Sequence, residues 1–294
     1  MKQNKEVIIS GSTGFIGRHL TKSLIQNGYT VTSLNRSFFS RSVVAGESIK
    51  AELLDLGKYN RKPYALIHLA AESIPKSVTK INKDININLT QIILNNFEPS
   101  RFIFASSALV YPFGGYKHTE CSPTMPVTLY GESKLKCEKL ILNKLGVRAR
   151  VLRIFNTIGP GMNEKLFVPS LIRRIKESQM NNQNCINMDG EDGIRSFIDI
   201  CDLVKAIMLT MIVDNVPSVM NICSTQSLSF NDFAMKVSKK IGYNNTFIFK
   251  PSHSLTTNSI IGTNDLSKLY LGDYNTTSIE ESIEKVIGGY NIEL

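Results

Sequence analysis

What this chain lacks narrows its identity first. Its cysteines, Cys121, Cys137, Cys185, Cys201 and Cys223, are odd in number and form no C-x-x-C pair. Neither a disulfide framework nor a zinc site can be read from them, no metal is expected, and the reduced cytoplasm is the compartment they suit. No apolar run approaches the roughly 18 residues of a membrane span. Val7-Ile8-Ile9 is too short for a signal-peptide core. No Lys/Arg tract forms an arm, because the 34 basic residues are interspersed with 25 acidic ones. The net charge of +9 therefore suits a polyphosphate-bearing small ligand as well as it suits nucleic acid. We expect neither a membrane nor a nucleic-acid partner. Low-complexity segments and repeats are also missing, and 294 residues with 42% apolar content describe an ordinary globular chain.

What is present is an alternation of short apolar runs with longer helical patterns. Val7 to Ser10 reads as a buried strand, Ile16, Leu20 and Leu24 recur on one helix face that Gly28 can end, and Val31 to Leu34 is the next strand. Further strands are expected at Ile49 to Leu54, Ala65 to Leu69, Arg101 to Ala105 and Val147 to Ile154, with helices near 80–96 and 128–145. This predicts an α/β fold, a Rossmann-like doubly wound parallel sheet. After Asn156 the pattern changes at Gly159-Pro160-Gly161. Short strands near 185–188 and 246–250 alternate there with helices near 169–179, 202–212 and 230–241, which predicts a smaller C-terminal substrate-binding lobe. The expected division gives residues 1–158 with about 194–224 to the dinucleotide domain, and 159–193 with 225–294 to the smaller lobe. Thr277-Ser278-Ile279-Glu280 has capping-box spacing for a last helix.

Three constellations carry chemistry. Gly11-Ser12-Thr13-Gly14-Phe15-Ile16-Gly17 joins the first strand to the first helix, where bare backbone can approach a pyrophosphate at the helix N-terminus. The spacing, G-x-x-G-x-x-G, is a variant of the dinucleotide fingerprint. At the end of the second strand stand Asn35 and Arg36 in place of the acid that binds ribose hydroxyls. With Ser37 and Arg41 nearby, the Arg36 guanidinium favours NADP over NAD. Tyr130-Gly131-Glu132-Ser133-Lys134 puts a phenol and an ammonium on one helix face, where the positive charge is expected to lower the phenol pKa for acid/base work. Ser106 and Ser107, at a strand end, offer the hydrogen-bond donor such a pair needs.

Together these motifs resemble the extended short-chain dehydrogenase/reductase superfamily, in its branch of nucleotide-sugar epimerases, dehydratases and reductases. Distal segments agree. His68-Leu69-Ala70-Ala71 is similar to the end of the family's fourth strand, Asp84 to Thr90 to its D-x-N-V-x-G-T helix, and Ser106 to Tyr111 to S-S-x-x-V-Y. Leu152 to Pro160 is similar to L-R-x-F-N-x-x-G-P, Arg195 to Asp202 to R-D-F-I-x-V-x-D, and Asp265 to Gly272 to a late D-x-S-K-x-x-x-L-G stretch.

The resemblance implies Tyr130 as acid/base, Lys134 as its modulator and the holder of the nicotinamide ribose, and Ser107 as the group on the reacting oxygen. It implies a cofactor surface of Gly11, Thr13, Gly14, Phe15, Ile16, Gly17, Asn35, Arg36, Leu69, Ala70, Ala71, Asn86 and Phe155, besides Tyr130 and Lys134. For the diphosphate of a nucleotide-sugar it implies Asn156 and Arg195, the latter left without its usual acidic neighbour because Ser196 stands there. It also implies a homodimer through the helices near 80–96 and 128–145. Two departures narrow the chemistry. Ala108-Leu109 replaces the Asp-Glu of the 4,6-dehydratases, and Leu109 stands where epimerase-reductases place a cysteine. The expected activity is NADPH-dependent reduction of the C4 ketone of a nucleotide-linked 4-keto-6-deoxysugar, within deoxysugar and polysaccharide biosynthesis. The alternatives are a redox-neutral 4-epimerase with retained dinucleotide, and a non-catalytic dinucleotide-binding protein.

Overall fold

The structure is a computed structural model and describes residues 5–35, 47–50, 62–72, 78–79, 84–250 and 258–292. Its first half runs β1 (Glu6–Ser10), α1 (Phe15–Gln26), β2 (Thr30–Asn35), β3 (Glu47–Lys50), β4 (Ala65–His68), α2 (Ile85–Asn96), β5 (Arg101–Ser107), β6 (Lys117–His118), α3 (Leu129–Leu145) and β7 (Ala149–Ile154). Then follow β8 (Asn156–Ile158), α4 (Phe167–Met180), β9 (Cys185–Glu191), β10 (Ile194–Asp199), α5 (Ile200–Ile212), β11 (Val219–Ile222), β12 (Ser227–Ser229), α6 (Phe230–Ile241), β13 (Thr246–Lys250), β14 (Ile261–Gly262), α7 (Asp265–Leu271) and α8 (Ile279–Ile292).

Seven described strands form one parallel sheet in the order β11-β7-β5-β4-β1-β2-β3. Alternation along β1 explains how it is covered, since successive side chains point to opposite faces. Val7 and Ile9 join Leu20 and Leu24 of α1 and Leu203 and Ile207 of α5 on one side. Ile8 joins Ile93 of α2 and Cys137 and Ile141 of α3 on the other. Both faces are therefore dry, as a parallel sheet requires, and each such buried aliphatic side chain contributes about 1.5–3 kcal/mol. Ser10 lies in register with Leu34 of β2 on one side and His68 of β4 on the other. The order reverses at β1, and this switch point is where α/β sheets bind ligands, beyond the carboxyl ends of the strands.

The smaller elements build a second layer beyond those ends. β12, β10 and β8 form a three-stranded sheet, β13 pairs with β9, and β14 with β6. α4, α6 and α8 close a separate apolar cluster around Phe197, Phe233 and Ile283. This layer is tied to α1 by Arg18, whose Nη2 donates to the Gly161 carbonyl at 2.9 Å, and by His19, whose Nε2 lies 3.0 Å from the Pro160 carbonyl.

Three expectations are corrected in detail. The third strand starts two residues earlier than expected, at Glu47, and is described as far as Lys50; residues 51–54 of the expected span lie outside the described residues. A seventh sheet strand, β11, follows α5 and was not among the expected strands. The capping box at α8 is Ser278 with Glu281: Glu281 N–H donates to Ser278 Oγ at 3.2 Å, and Ser278 N–H to Glu281 Oε2 at 2.8 Å. Thr277 is taken by Asp202, which accepts its N–H at 2.9 Å and its hydroxyl at 3.2 Å.

Candidate active site

The loop after β1 is shaped by glycine. Gly11 has φ +80°, and a Cβ there would stand 2.8 Å from Ala70 N; one at Gly17 would stand 2.1 Å from Gly11 O. Neither neighbour is a side chain that can yield. Gly14 is the exposed N-cap of α1, with no side-chain cap and no acidic residue in the first turn. The positive end of the helix dipole is thus left to an external anion. Thr13, Phe15 and Ile16 are half-buried around it, and Leu69, Ala70 and Ala71 run half-buried past the tip of β4. Asn35 ends β2, while Arg36, Ser37 and Arg41 lie outside the described residues.

A buried polar chain stands behind this loop. Ala70 N–H donates to Ser10 Oγ at 3.3 Å, and that hydroxyl lies 2.7 Å from His68 Nδ1. His68 Nε2 lies 3.1 Å from Thr90 Oγ1, whose hydroxyl donates to the Asn86 carbonyl at 2.8 Å. The direction of these bonds makes His68 a neutral imidazole carrying its proton on Nε2. Burial, and then the Lys134 charge, push it down to about 3. The Asn86 side chain accepts from Glu72 N–H at 2.8 Å and donates to Ser133 Oγ at 3.1 Å, joining the β4 tip to α3.

α3 starts where Thr128 Oγ1 accepts from Gly131 N–H at 3.0 Å. Its first turn presses on the short 3-10 turn Ala108–Val110 after β5, since a Cβ on Gly131 would meet the Leu109 carbonyl at 2.1 Å. That approach brings the Tyr130 phenol near Ser107, whose hydroxyl favours the phenolate. Ser107 Oγ also accepts from Leu109 N–H at 3.1 Å. The neighbouring Ser106 points elsewhere, donating to the Glu138 carboxylate, so Ser107 alone of the pair faces the phenol.

The expected depression of the tyrosine pKa is not found. Burial pushes the Tyr130 phenol up to about 12, with the Ser107 hydroxyl opposing. Lys134 Nζ lies 5.8 Å from the Tyr130 ring centroid and donates to the Ala105 carbonyl at 2.7 Å. Burial also pushes Lys134 down to about 8. Desolvation wins over proximity here because both groups are sealed from water.

On the other side, Arg195 of β10 is 8% exposed. Its guanidinium stacks 4.8 Å from the Phe230 ring centroid and 5.6 Å from that of Phe113. It donates to the Asn258 carbonyl, to Asn258 Oδ1 at 3.2 Å and to the Ile194 carbonyl at 3.1 Å. Its partners are neutral oxygens of Asn258 and Ile194, and burial pushes it down to about 10 against the pull of Asp192. Asn156 is half-buried on β8, beside β10, in register with Phe197. Phe155 is packed into an apolar cluster with Tyr111, Cys223 and Ile260.

Sequence reading missed Glu138, Arg153 and Asn258. Glu138 had a signal, being four residues beyond Lys134 as Lys134 is beyond Tyr130. Asn258 had none, since only the fold brings it to Arg195. Among the described residues, no group of three His, Cys, Asp or Glu side chains is placed to hold a metal, and no helix is long and apolar enough to cross a membrane.

The parallel sheet with a glycine loop at its switch point, beside a Ser-Tyr-Lys set at the tip of β5, has the layout of the extended short-chain dehydrogenase/reductases. The chain belongs to the NAD dependent epimerase/dehydratase family, whose pattern it matches over residues 7–223. Among curated relatives, it is 24% identical to UDP-glucose 4-epimerase of Lactobacillus helveticus over 91% of each chain. It is 27% identical to GDP-6-deoxy-D-mannose reductase of Pseudomonas aeruginosa over 76% of this chain and 75% of that one. Among solved structures, MoeE5 in complex with UDP-glucuronic acid and NAD shares the fold with TM-score 0.82 and 23% identity, covering 98% of this chain and 100% of that one.

Proposed function

We propose that this protein reduces the C4 ketone of a nucleotide-linked 4-keto-6-deoxysugar, using NADPH. The observation that carries the reading is a buried Tyr130 phenol set near Ser107, with Lys134 buried behind it and no further carboxylate or thiol at positions 108 and 109. A phenol held up near 12 is fully protonated at neutral pH, the state a general acid needs for reduction. The glycine loop, packed so closely that a Cβ at Gly11 or Gly17 would strike main chain, leads into a helix start with no side-chain cap, and this bare backbone fits a dinucleotide pyrophosphate. NADPH, when bound there, supplies the hydride. Tyr130 gives its proton to the C4 oxygen of the ketone as that oxygen becomes the hydroxyl, and Ser107 steadies the same oxygen. Arg195, held by neutral oxygens between two rings, gains the negative charge it lacks from a diphosphate, and Asn156 supports it from the neighbouring strand. Arg36, at the close of β2, supports the phosphorylated cofactor, and the similarity to a GDP-sugar reductase supports net reduction. A homodimer through α2 and α3 in the cytoplasm belongs to the same proposal.

A second reading is a 4-epimerase with retained NAD. It is favoured by the relative of that name and by the NAD in the MoeE5 structure. The deciding experiment incubates the protein with dTDP-, GDP-, CDP- and UDP-linked 4-keto-6-deoxysugars, with NADPH or NADH, and follows loss of reduced-dinucleotide absorbance. Stoichiometric NADPH oxidation with one of them is expected. Interconversion of nucleotide-hexoses without added dinucleotide, and no oxidation of NADPH, establishes the epimerase instead.

A further inference from the structure

Glu138 lies eight residues along α3 from Tyr130 and four from Lys134, so the three side chains follow one another on one helix face. It is 1% exposed, and its oxygens are engaged from two other strands. Ser106 of β5 donates its hydroxyl to Oε1. Arg153 of β7 donates Nε to the two oxygens at 3.2 and 3.3 Å and Nη2 to Oε2 at 2.9 Å. The network continues outward: Arg153 Nη1 donates to Tyr111 Oη at 2.9 Å, and that hydroxyl donates to Asn221 Oδ1 at 2.8 Å. A buried ion pair is a poor device for stability alone, because apolar side chains of similar volume commonly serve as well.

Its position suggests another use. Ser106 directly precedes Ser107, so holding Ser106 on Glu138 fixes the backbone at the end of β5 that carries Ser107. Resting on the reading of Ser107, Tyr130 and Lys134 as the reacting set, we propose that Glu138 is a positioning residue: its carboxylate, clamped by Arg153, aims Ser107 at Tyr130 through Ser106 and supports the Lys134 ammonium with a fixed negative charge.

The surroundings of Lys134 single out this carboxylate. Facing it are Tyr130, Cys137 and Glu138 from α3 and His68 from β4, with the Phe104 ring and Ala105 carbonyl from β5. Cys137 and Glu138 both oppose the loss of the lysine charge, but burial holds the Cys137 thiol up and hence neutral. His68 is neutral as well and Tyr130 is a phenol, which leaves the Glu138 carboxylate, paired with Arg153 at 2.9 Å, as the acidic partner of the group.

The test uses the full chain with Glu138→Gln, and Glu138→Leu/Arg153→Met as the variant that removes both charges together. Lys134 is titrated directly in [13C]lysine-labelled protein, its signal assigned with Lys134→Arg. The midpoint is expected to fall by about half a unit or more in Glu138→Gln, from the loss of one nearby opposite charge. With an active sugar nucleotide, kcat is expected to fall about tenfold or more, as when a proton-transfer set loses alignment, while KM for the dinucleotide stays within about twofold. The double variant is expected to regain the wild-type melting temperature but not kcat. An unmoved lysine midpoint overturns the proposal, and so does full recovery of kcat in the double variant. Failure of wild-type protein to turn over any sugar nucleotide overturns the reaction assigned above, and the lysine midpoint then decides the role of Glu138 by itself.

Discussion

The two walls of the candidate site are made of different material. The wall at the β1 and β4 tips is backbone: glycines at 11, 14 and 17, a helix start without a side-chain cap, and alanines at 70 and 71. The wall around Arg195 is side chain: a guanidinium between Phe113 and Phe230, held by Asn258, from segments more than 140 residues apart at their extremes. A backbone wall recognises what dinucleotides share, since N–H groups and a helix dipole read phosphate and little else. A side-chain wall can change residue by residue without disturbing the sheet. Tyr130 stands on α3 near Ser107, and neither wall supplies the proton it carries.

The largest effect that separates these roles is expected from Tyr130→Phe. The ring keeps its packing and only the hydroxyl leaves, so turnover should fall about 10²–10⁴-fold, the usual worth of a positioned general acid. Dinucleotide affinity, measured by fluorescence titration, should stay within about twofold if recognition resides in the backbone wall. Normal turnover in this variant removes the phenol from the chemistry.

Gly17→Ala strikes the backbone wall itself. The added methyl would lie 2.1 Å from Gly11 O and 2.7 Å from Ser12 Cα, both main chain, so the loop must move. Overpacking of this kind costs about 1–3 kcal/mol. Because the displaced atoms line the cradle, dinucleotide affinity should fall roughly tenfold to a hundredfold. An alanine variant that binds dinucleotide as tightly as wild type shows that the cradle tolerates displacement, and the contrast between the walls fails.

The same contrast explains what could be read before the fold was seen. Gly11 to Gly17 is local, its spacing set by one strand-turn-helix connection, and the close approaches at Gly11 and Gly17 are what that spacing implies. The helices over 15–26, 129–145, 167–180 and 230–241 declared themselves by apolar period, each with a long buried face. Asn258 did not, because nothing near it in sequence points to Arg195, 63 residues away. The tyrosine pKa was misjudged for a related reason. Spacing on a helix gives proximity to Lys134, whereas the deciding quantity, the loss of water around both groups, is a property of the packed protein. Arg36, on which the choice of NADP rests, lies outside the described residues and stays a reading of sequence.

Arg195→Met tests the side-chain wall with a smaller and more selective effect. Hydrogen bonds to a charged group contribute about 1.5–3 kcal/mol, so KM for the sugar nucleotide should rise roughly tenfold to a hundredfold. Turnover at saturation and dinucleotide affinity should change little. The melting temperature of the free protein should also hold, since a guanidinium pushed down to about 10 by burial is costly to keep charged and its partners are neutral oxygens. A large drop in melting temperature with unchanged KM would make Arg195 a structural residue.

The smallest effect is expected far from both walls, at the start of α8. Ser278→Ala removes the acceptor for Glu281 N–H and one of the two donors to the Glu281 carboxylate. Loss of an N-cap costs about 1 kcal/mol, which in a chain of this size lowers the melting temperature by about 2 °C. The carboxyl of Glu281 is held below its usual range by the Ser278 N–H and hydroxyl. A depressed carboxylate contributes its stability above its unfolded pKa and loses it as pH falls through the folded value. The difference between wild type and Ser278→Ala should therefore be full at neutral pH and shrink on acidification below the carboxylate range. Turnover should be untouched at every pH where both proteins are folded. If kcat falls with this cap, α8 communicates with the reacting set, and the separation of the two walls from the rest of the second layer is wrong.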